Sequence, residues 1–119
     1  MSMTRIDRLC RELGAEYSVR NIDLERCLYR DFGNGFNVEI SNLGSRRKDA
    51  TASIYLWFGT GYDAIIVKTE HDVERTAAGI HQAVERLLAH SNALLAQGLN
   101  TRNKLFLHKN PELRKEETL

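Results

Sequence analysis

The sequence lacks any apolar run that approaches the roughly 20 residues a helix needs to cross a bilayer. Its first residues, MSMTRIDRLCREL, interleave charged with apolar side chains, whereas a signal peptide carries a continuous hydrophobic stretch. The chain has 119 residues, of which 42% are hydrophobic, and this size and composition suit one domain with one core. We therefore expect a cytoplasmic protein that does not enter a membrane.

Cysteine and histidine, which carry most metal chemistry and much acid–base chemistry, are scarce, with two and four copies. Cys10 and Cys27 form no CxxC pattern, so the sequence predicts neither a zinc site nor a disulfide framework. Three histidines fall on a predicted long helix, where they point in different directions and do not converge on a metal. The four histidines are His71, His81, His90 and His108. We predict no catalytic residue, metal or cofactor, although a Ser/His/Asp arrangement of distant residues stays open.

The sequence also lacks an excess of charge of one sign. Its 17 Lys and Arg residues stand against 16 Asp and Glu residues, so the overall field favours neither nucleic acid nor a membrane surface. The one dense positive cluster is Arg46, Arg47 and Lys48, within the segment SRRKD. Such a cluster is typical of a solvated loop, and its alternative role is to contact phosphates.

An N-terminal helix is predicted from a cap and a hydrophobic stripe. Thr4 and Asp7 have the spacing of a capping box, with Asp in place of the usual Glu or Gln. Apolar residues then recur on one helix face, and Gly14 stands where a left-handed C-cap is needed. The stripe consists of Ile6, Leu9, Cys10 and Leu13.

Between Ala15 and Thr69 the pattern changes to alternating β-formers, which predicts a meander of four to five antiparallel strands. Two connections, GNG and GTG, begin like a dinucleotide-binding GxGxxG motif. Both lack the third glycine and neither opens a helix that could hold a pyrophosphate, so we interpret them as hairpin turns.

The hydrophobic pattern favours a three-residue loop in both hairpins, because a slip of one residue would send polar side chains to the core face. In the first hairpin Phe32 then faces Phe36, and Gly35 takes the left-handed third position of the loop. The same choice in the second hairpin pairs Phe58 with Tyr62. The two hairpins are therefore predicted to be alike.

A long amphipathic helix is predicted after the strands and packed on the sheet. Thr69 and Asp72 have capping-box spacing, apolar residues then hold one face, and Gly98 supplies the stop. At about 1.5 Å per residue this helix would extend roughly 40 Å and cover a four-stranded sheet. Ser91 and Asn92 interrupt the apolar stripe and allow a break there.

We assign residues 1–98 to a single α+β domain and residues 99–119 to a polar, mildly basic C-terminal tail. The tail contains one short apolar run that includes Leu105 and Phe106, and Pro111 could start a short final helix. Tails of this composition are commonly loose unless something holds them. We therefore consider a partner or a second copy of the chain as the group that orders it.

The third and fourth predicted strands are apolar on both faces. With one face turned to the long helix, the other would carry the four residues Tyr55, Trp57, Ile65 and Val67. The N-terminal helix or a homodimer could cover this second face. If it is left open it is a contact surface, because aromatic residues dominate interface energetics.

These features favour a non-enzymatic protein-binding module, such as a small inhibitor or adaptor of the kind encoded by phages and mobile elements. The predicted contact residues are Tyr55, Trp57, Ile65, Val67, Arg46, Arg47, Lys48, Leu105 and Phe106. One alternative is a nucleic-acid-binding protein in which the basic cluster contacts phosphates while Tyr55 or Trp57 stacks on bases. A second alternative is a small ligand-binding protein or enzyme with its pocket between sheet and helix.

Overall fold

The computed structural model describes residues 3–113 and shows an α+β fold. Its elements are α1 (Arg5–Leu13), β1 (Ser18–Ile22), β2 (Glu25–Asp31), β3 (Phe36–Ser41), β4 (Ala52–Phe58), β5 (Ile65–Val73), α2 (Ala77–Ala96) and α3 (Arg102–Lys109). The strands form one antiparallel sheet in the order β1-β2-β3-β4-β5, and α2 packs on it. The predicted fold class is thus confirmed. Within residues 3–113 no helix is long and apolar enough to cross a membrane.

The N-terminal helix forms as predicted. Thr4 is its N-cap, with a side-chain oxygen that accepts a hydrogen bond from the backbone N–H of Asp7. Gly14 ends the helix at a φ of 110°, a conformation that favours glycine. Ile6 and Leu9 are buried in the core, and α1 contacts α2, β1 and β2. The apolar stripe therefore packs on the same side of the sheet as α2.

The first hairpin has the predicted register. Leu28 pairs with Ile40, and the backbone N–H of Phe32 donates to the carbonyl oxygen of Phe36 at 3.0 Å. Gly35 has a φ of 96°, and a Cβ atom there would lie 3.1 Å from the ring of Phe58. Both the conformation and the close approach of Phe58 therefore favour glycine at this position.

The second hairpin differs from its prediction. β4 ends at Phe58 and β5 begins at Ile65, and these two residues pair with each other. The predicted partner of Phe58, Tyr62, instead lies fully exposed on a 3-10 turn of the longer connection. Trp57 consequently pairs with Ile66. The two hairpins therefore differ in loop length and in register.

This register was mispredicted because β5 opens with three consecutive apolar residues, Ile65, Ile66 and Val67. Such a run does not show by alternation which residue faces the core. A register shift between Leu56 and Trp57 adds an irregularity that local pattern does not encode.

The long helix starts later than predicted. β5 continues through Thr69 to Val73, and α2 begins at Ala77. Its N-cap is Thr76, which accepts a hydrogen bond from the backbone N–H of Gly79 at 3.0 Å. With 20 residues, α2 is about 30 Å long, shorter than the predicted length.

Residues 99–109, which the sequence placed in a tail, fold back onto the sheet. α3 lies along β5, and Lys109 Nζ donates to the backbone carbonyl oxygen of Ile66 in β5 at 2.8 Å. Arg102 Nε donates to the carbonyl oxygen of Asp63, just before β5, at 2.9 Å. Leu105, predicted to contact a partner, is 2% exposed and belongs to the core of the chain itself. Residues 111–113 are helical, and the rest of the short final helix predicted from Pro111 lies outside the described residues.

The core lies between the sheet and the helices. Its largest fully buried side chains are Phe36, Leu28, Ile40, Leu43, Ile54, Leu56, Ile80, Leu87, Leu94, Leu105, Val38 and Val84. Arg30 lies on the same face of β2 as Leu28, and its side chain is only 11% exposed. Its guanidinium contacts the carboxylates of Glu16 and Glu85 at 2.7 and 3.6 Å and lies over the rings of Tyr17 and Phe32. The charge is therefore neutralised at the edge of the core.

Candidate functional site on the open face of the sheet

One face of the sheet carries α1 and α2, and the other, which we call the open face, is bordered by α3 at its β5 edge. α1 was one of the two covers considered for this face. It packs instead on the helix side, because its buried residues Ile6 and Leu9 join the same core as Ile80 of α2. The coverage by α1 that the sequence allowed is therefore not observed.

Cross-strand pairing brings aromatic and polar side chains together on the open face. Glu39 of β3 lies between Tyr29 of β2 and Tyr55 of β4. In the neighbouring row Trp57 of β4 lies between Asn37 of β3 and Ile66 of β5. Side chains that pair in this way are about 5 Å apart at their Cβ atoms. The two rows therefore form one continuous surface.

This surface contains two adjoining depressions. The first has a volume of about 220 Å³ and the second about 370 Å³. Ile22, Glu39 and Trp57 line both of them. The remaining residues of the first are Arg20, Tyr29, Asn37, Gly59, Thr60, Gly61 and Ala64, and those of the second are Asp23, Glu25, Ser41, Tyr55 and Ile66. The second depression, which we call the acidic groove, carries three carboxylates and no basic side chain.

Trp57 also borders a third depression, of about 430 Å³, at the edge where α3 meets β5. Its other lining residues are Ile65, Ile66, Phe106, Lys109 and Asn110. Phe106 is 41% exposed, although it belongs to a helix that docks on the sheet. Trp57 therefore occupies the junction of all three depressions and joins the sheet surface to α3.

The structure separates the four residues predicted to form the second face. Tyr55 and Trp57 are half-buried on the open face, as predicted. Ile65 and Val67 pack against the hydrophobic core, because the register of β5 is shifted from the predicted one. Ile66 lies beside Trp57 on the open face, where the sequence had predicted Ile65 and Val67.

Burial and like charges perturb two titratable groups on the open face. Burial raises the pKa of the Glu39 carboxyl, and the charges of Glu25 and Asp23 add to this, while a hydrogen bond from Trp57 opposes it. Burial also raises the pKa of the Cys27 thiol to about 12, again with help from neighbouring carboxylates. Cys27 is thus a protonated, buried thiol and a poor nucleophile at neutral pH.

Arg20, a residue of the chain itself, lines the first depression. The Arg20 guanidinium carbon lies 3.8 Å from the centre of the Tyr29 ring, within the range of a cation–π contact. Tyr29 is the cross-strand neighbour of Glu39. A guanidinium on an aromatic ring is therefore already part of this face.

The predicted basic cluster lies apart from these aromatics. Arg46, Arg47 and Lys48 are all exposed on the connection between β3 and β4, which we call the basic loop. Arg5 Nη1 and Arg75 Nη1 hold its backbone by donating to the carbonyl oxygen of Ser45 at 2.9 and 2.7 Å. Trp57 lies near the opposite end of β4, five residues after Ala52, which is roughly 17 Å along the strand at about 3.3 Å per residue. The structure therefore does not bring the basic loop and Trp57 into one site.

One pair on the open face could have suggested catalysis. Ser53 Oγ lies 3.0 Å from His71 Nδ1, and His71 belongs to β5 and not to the helix on which it was predicted. A nucleophile–base pair is normally oriented by a third group. Among residues 3–113, Ser53 is the sole hydrogen-bond partner of His71, and no group of three His, Cys, Asp or Glu side chains is placed to hold a metal ion.

Sequence reasoning missed most of the acidic groove. Glu39 could have been placed on the open face, because it alternates with Val38 and Ile40 along β3. Asp23 and Glu25 lie at the turn between β1 and β2, and local pattern gives no signal that this turn approaches Tyr55 and Trp57.

Comparisons of the chain with protein-family models, with curated proteins and with solved structures found no match. The chemistry of the open face is consequently the basis for a functional assignment.

Proposed function

We propose that this chain is a non-enzymatic protein-binding module that docks a partner on the open face, with Trp57 at the centre of the contact. A small inhibitor or adaptor is the class of protein that fits this description. The observation that supports the proposal is the position of Trp57, half-buried at the junction of three depressions. Both α1 and α2 pack on the other face of the sheet.

The residues around Trp57 resemble the centre of a protein interface in composition. Three neighbours of Trp57 are partly exposed: Tyr55 borders the acidic groove, Phe106 borders the depression beside α3, and Ile66 borders both. Aromatic residues in partly enclosed positions contribute most of the energy of typical interfaces, and exposed apolar surface of this kind is uncommon on monomers without a role. Tyr55, Trp57 and Phe106 were predicted contact residues, and they lie on one connected surface.

The test is affinity purification of the tagged full chain from its host, with mass spectrometry of what is retained. Trp57→Ala should reduce recovery of a stoichiometric partner at least tenfold, because a central aromatic side chain is the typical hot spot. The matched control is Gln82→Ala, an exposed position of α2 on the opposite side of the molecule. Full recovery with Trp57→Ala would overturn the proposal.

Because Trp57 is partly buried, its replacement could also disturb folding. Phe106→Ala changes a more exposed residue of the same surface and should likewise weaken recovery of the partner. Circular dichroism and thermal unfolding of each variant separate loss of binding from loss of structure. A variant that keeps its fold but loses the partner supports the proposed surface.

Nucleic-acid binding is the second candidate function, and the observation that favours it is the basic loop. Its three exposed basic residues lie on a backbone fixed by Arg5 and Arg75, which limits the entropy lost on contact with phosphates. The carboxylates of the acidic groove line the same depression as Trp57 and would repel a phosphate backbone. A combined Arg46→Ala/Arg47→Ala/Lys48→Ala variant that loses bound nucleic acid, while Trp57→Ala retains it, would favour this candidate over protein binding.

A further inference from the structure

The acidic groove combines negative charge with aromatic surface. Asp23, Glu25 and Glu39 line it together with Tyr55 and Trp57. None of the six ion pairs among residues 3–113 involves any of these three carboxylates. The groove therefore presents three acidic groups and two rings to whatever binds there, without a cation of its own.

The first depression, which adjoins the acidic groove, combines the same kinds of side chain with an arginine of the chain itself. There the Arg20 guanidinium lies over the Tyr29 ring, next to Glu39 on the adjacent strand. The acidic groove has the same elements, an aromatic ring beside a carboxylate, but no arginine among its lining residues. The two depressions meet at Glu39 and Trp57. The first contains a guanidinium from the chain itself, and the acidic groove does not.

We infer that the acidic groove binds an arginine-containing basic segment of a partner protein. A guanidinium of this segment lies against the ring of Tyr55 or Trp57 and donates to the carboxylates of the groove. This inference rests on the proposed function, because it specifies the chemistry of the partner that docks on the open face.

Arginine fits the groove better than the other cationic side chain. Its planar guanidinium stacks on aromatic rings and donates in a fork that matches a carboxylate, whereas the lysine ammonium is a compact, strongly hydrated charge. Cation–π contacts also strengthen when the cation leaves bulk water. A concave site with carboxylates beside half-buried rings therefore selects a guanidinium.

The test uses the fluorescence of Trp57, which is the only tryptophan of the chain and lines the groove. The full chain is titrated with a capped hexapeptide that alternates arginine and serine. The matched peptide contains citrulline, an uncharged isostere, in place of each arginine. We expect a saturable change in emission with the arginine peptide, weakened by added salt, and an affinity for the citrulline peptide at least tenfold lower.

Two charge-matched variants identify the groups that bind the peptide. Glu25→Gln/Glu39→Gln should lower the affinity for the arginine peptide at least tenfold. Glu12→Gln/Glu74→Gln removes the same number of charges from exposed positions that do not line the groove, and should leave the affinity within about twofold. Equal loss in both variants would mean that net charge alone drives binding, and would overturn the inference.

The remaining outcomes separate this inference from the proposed function. The inference that an arginine-containing segment occupies the groove is wrong if arginine and citrulline peptides bind equally well. It is also wrong if neither peptide changes the emission of Trp57 at millimolar concentration. The proposed function still stands if Trp57→Ala loses the partner in affinity purification while Glu25→Gln/Glu39→Gln retains it. If both variants retain the partner, the open face is not the docking surface and both proposals fail.

Discussion

Asn34 at the tip of the first hairpin is hydrogen-bonded to Ser91 in the C-terminal third of α2. Its side-chain Nδ2 donates to Ser91 Oγ at 3.0 Å and to Asn92 Oδ1 at 3.1 Å. Ser91 is fully buried and donates in turn to the carbonyl oxygen of Leu88 at 2.7 Å. The polar residues that interrupt the apolar stripe therefore dock the hairpin on the helix, and α2 runs through them without a break.

Asn34→Asp should lower the free energy of unfolding by about 1–2 kcal/mol, because it removes the donor to a buried hydroxyl and places a charge there. The aspartate keeps the side-chain oxygen that accepts from the backbone N–H of Phe36, so the turn itself is preserved. Urea unfolding measures the difference. Asn103→Asp, an exposed site on α3, is the control and should change stability by less than about 0.5 kcal/mol. Equal effects at the two positions would show that the link to α2 contributes nothing.

Arg30 offers a second test, because its side chain is only 11% exposed while its two carboxylate partners reach solvent. Arg30→Met should change the free energy of unfolding by less than about 1 kcal/mol, since methionine fills the space and both Glu16 and Glu85 can be hydrated. Arg30→Glu should destabilise by about 3–5 kcal/mol, because it places a third carboxylate beside those two. Urea unfolding of both variants is the measurement. If Arg30→Met destabilises the protein as much as Arg30→Glu does, the packing of the Arg30 side chain is not what contributes to stability.

Cys27 should resist alkylation in the folded protein. With a pKa raised to about 12, mainly by burial, its thiol is almost entirely protonated at about pH 8, and the thiolate is the reactive form. Mass spectrometry after iodoacetamide treatment should find Cys10, which is only partly buried, modified first. In urea both cysteines should react at similar rates. Labelling of Cys27 at the same rate with and without urea would contradict the burial of this thiol.

The fold could be predicted wherever one face of an element is clearly apolar. β3 alternates apolar and polar residues from Phe36 to Ser41, so a single register with β2 buries all its apolar side chains. α1 is similarly defined by its cap and by its stripe. In these elements local pattern and tertiary packing require the same arrangement.

The candidate site could not be predicted as fully, because it depends on an edge of the sheet where pattern is ambiguous. β5 is apolar at three consecutive positions and then polar on both faces from Lys68 to Asp72. That polar half looked like a helix start, since Thr69 and Asp72 mimic a capping box. In the structure it is an edge strand, and its Glu70 carboxylate contacts Arg86 of α2 at 2.7 Å. Only tertiary contacts distinguish these two possibilities.

Glu39 makes the stability of the protein depend on pH. Burial and the nearby charges of Glu25 and Asp23 raise its pKa above the ordinary value of 4.5. As pH rises from 4.5 to the raised pKa, the folded protein therefore binds more protons at this site than the unfolded chain does. The free energy of unfolding falls over that window, and the loss persists above it.

Glu39→Gln removes this ionisation while it preserves the shape of the side chain. The difference in unfolding free energy between the variant and the natural chain should shift in favour of the variant as pH rises from about 4 to about 7. Urea unfolding followed by Trp57 fluorescence at several pH values measures this difference. The control is Glu12→Gln, on an exposed position of α1, which removes a carboxylate distant from the groove. If the difference in unfolding free energy for Glu39→Gln is the same at every pH, Glu39 does not lie in the desolvated, acidic surroundings that the structure shows. The carboxylate of Glu39 would then not be part of the acidic groove.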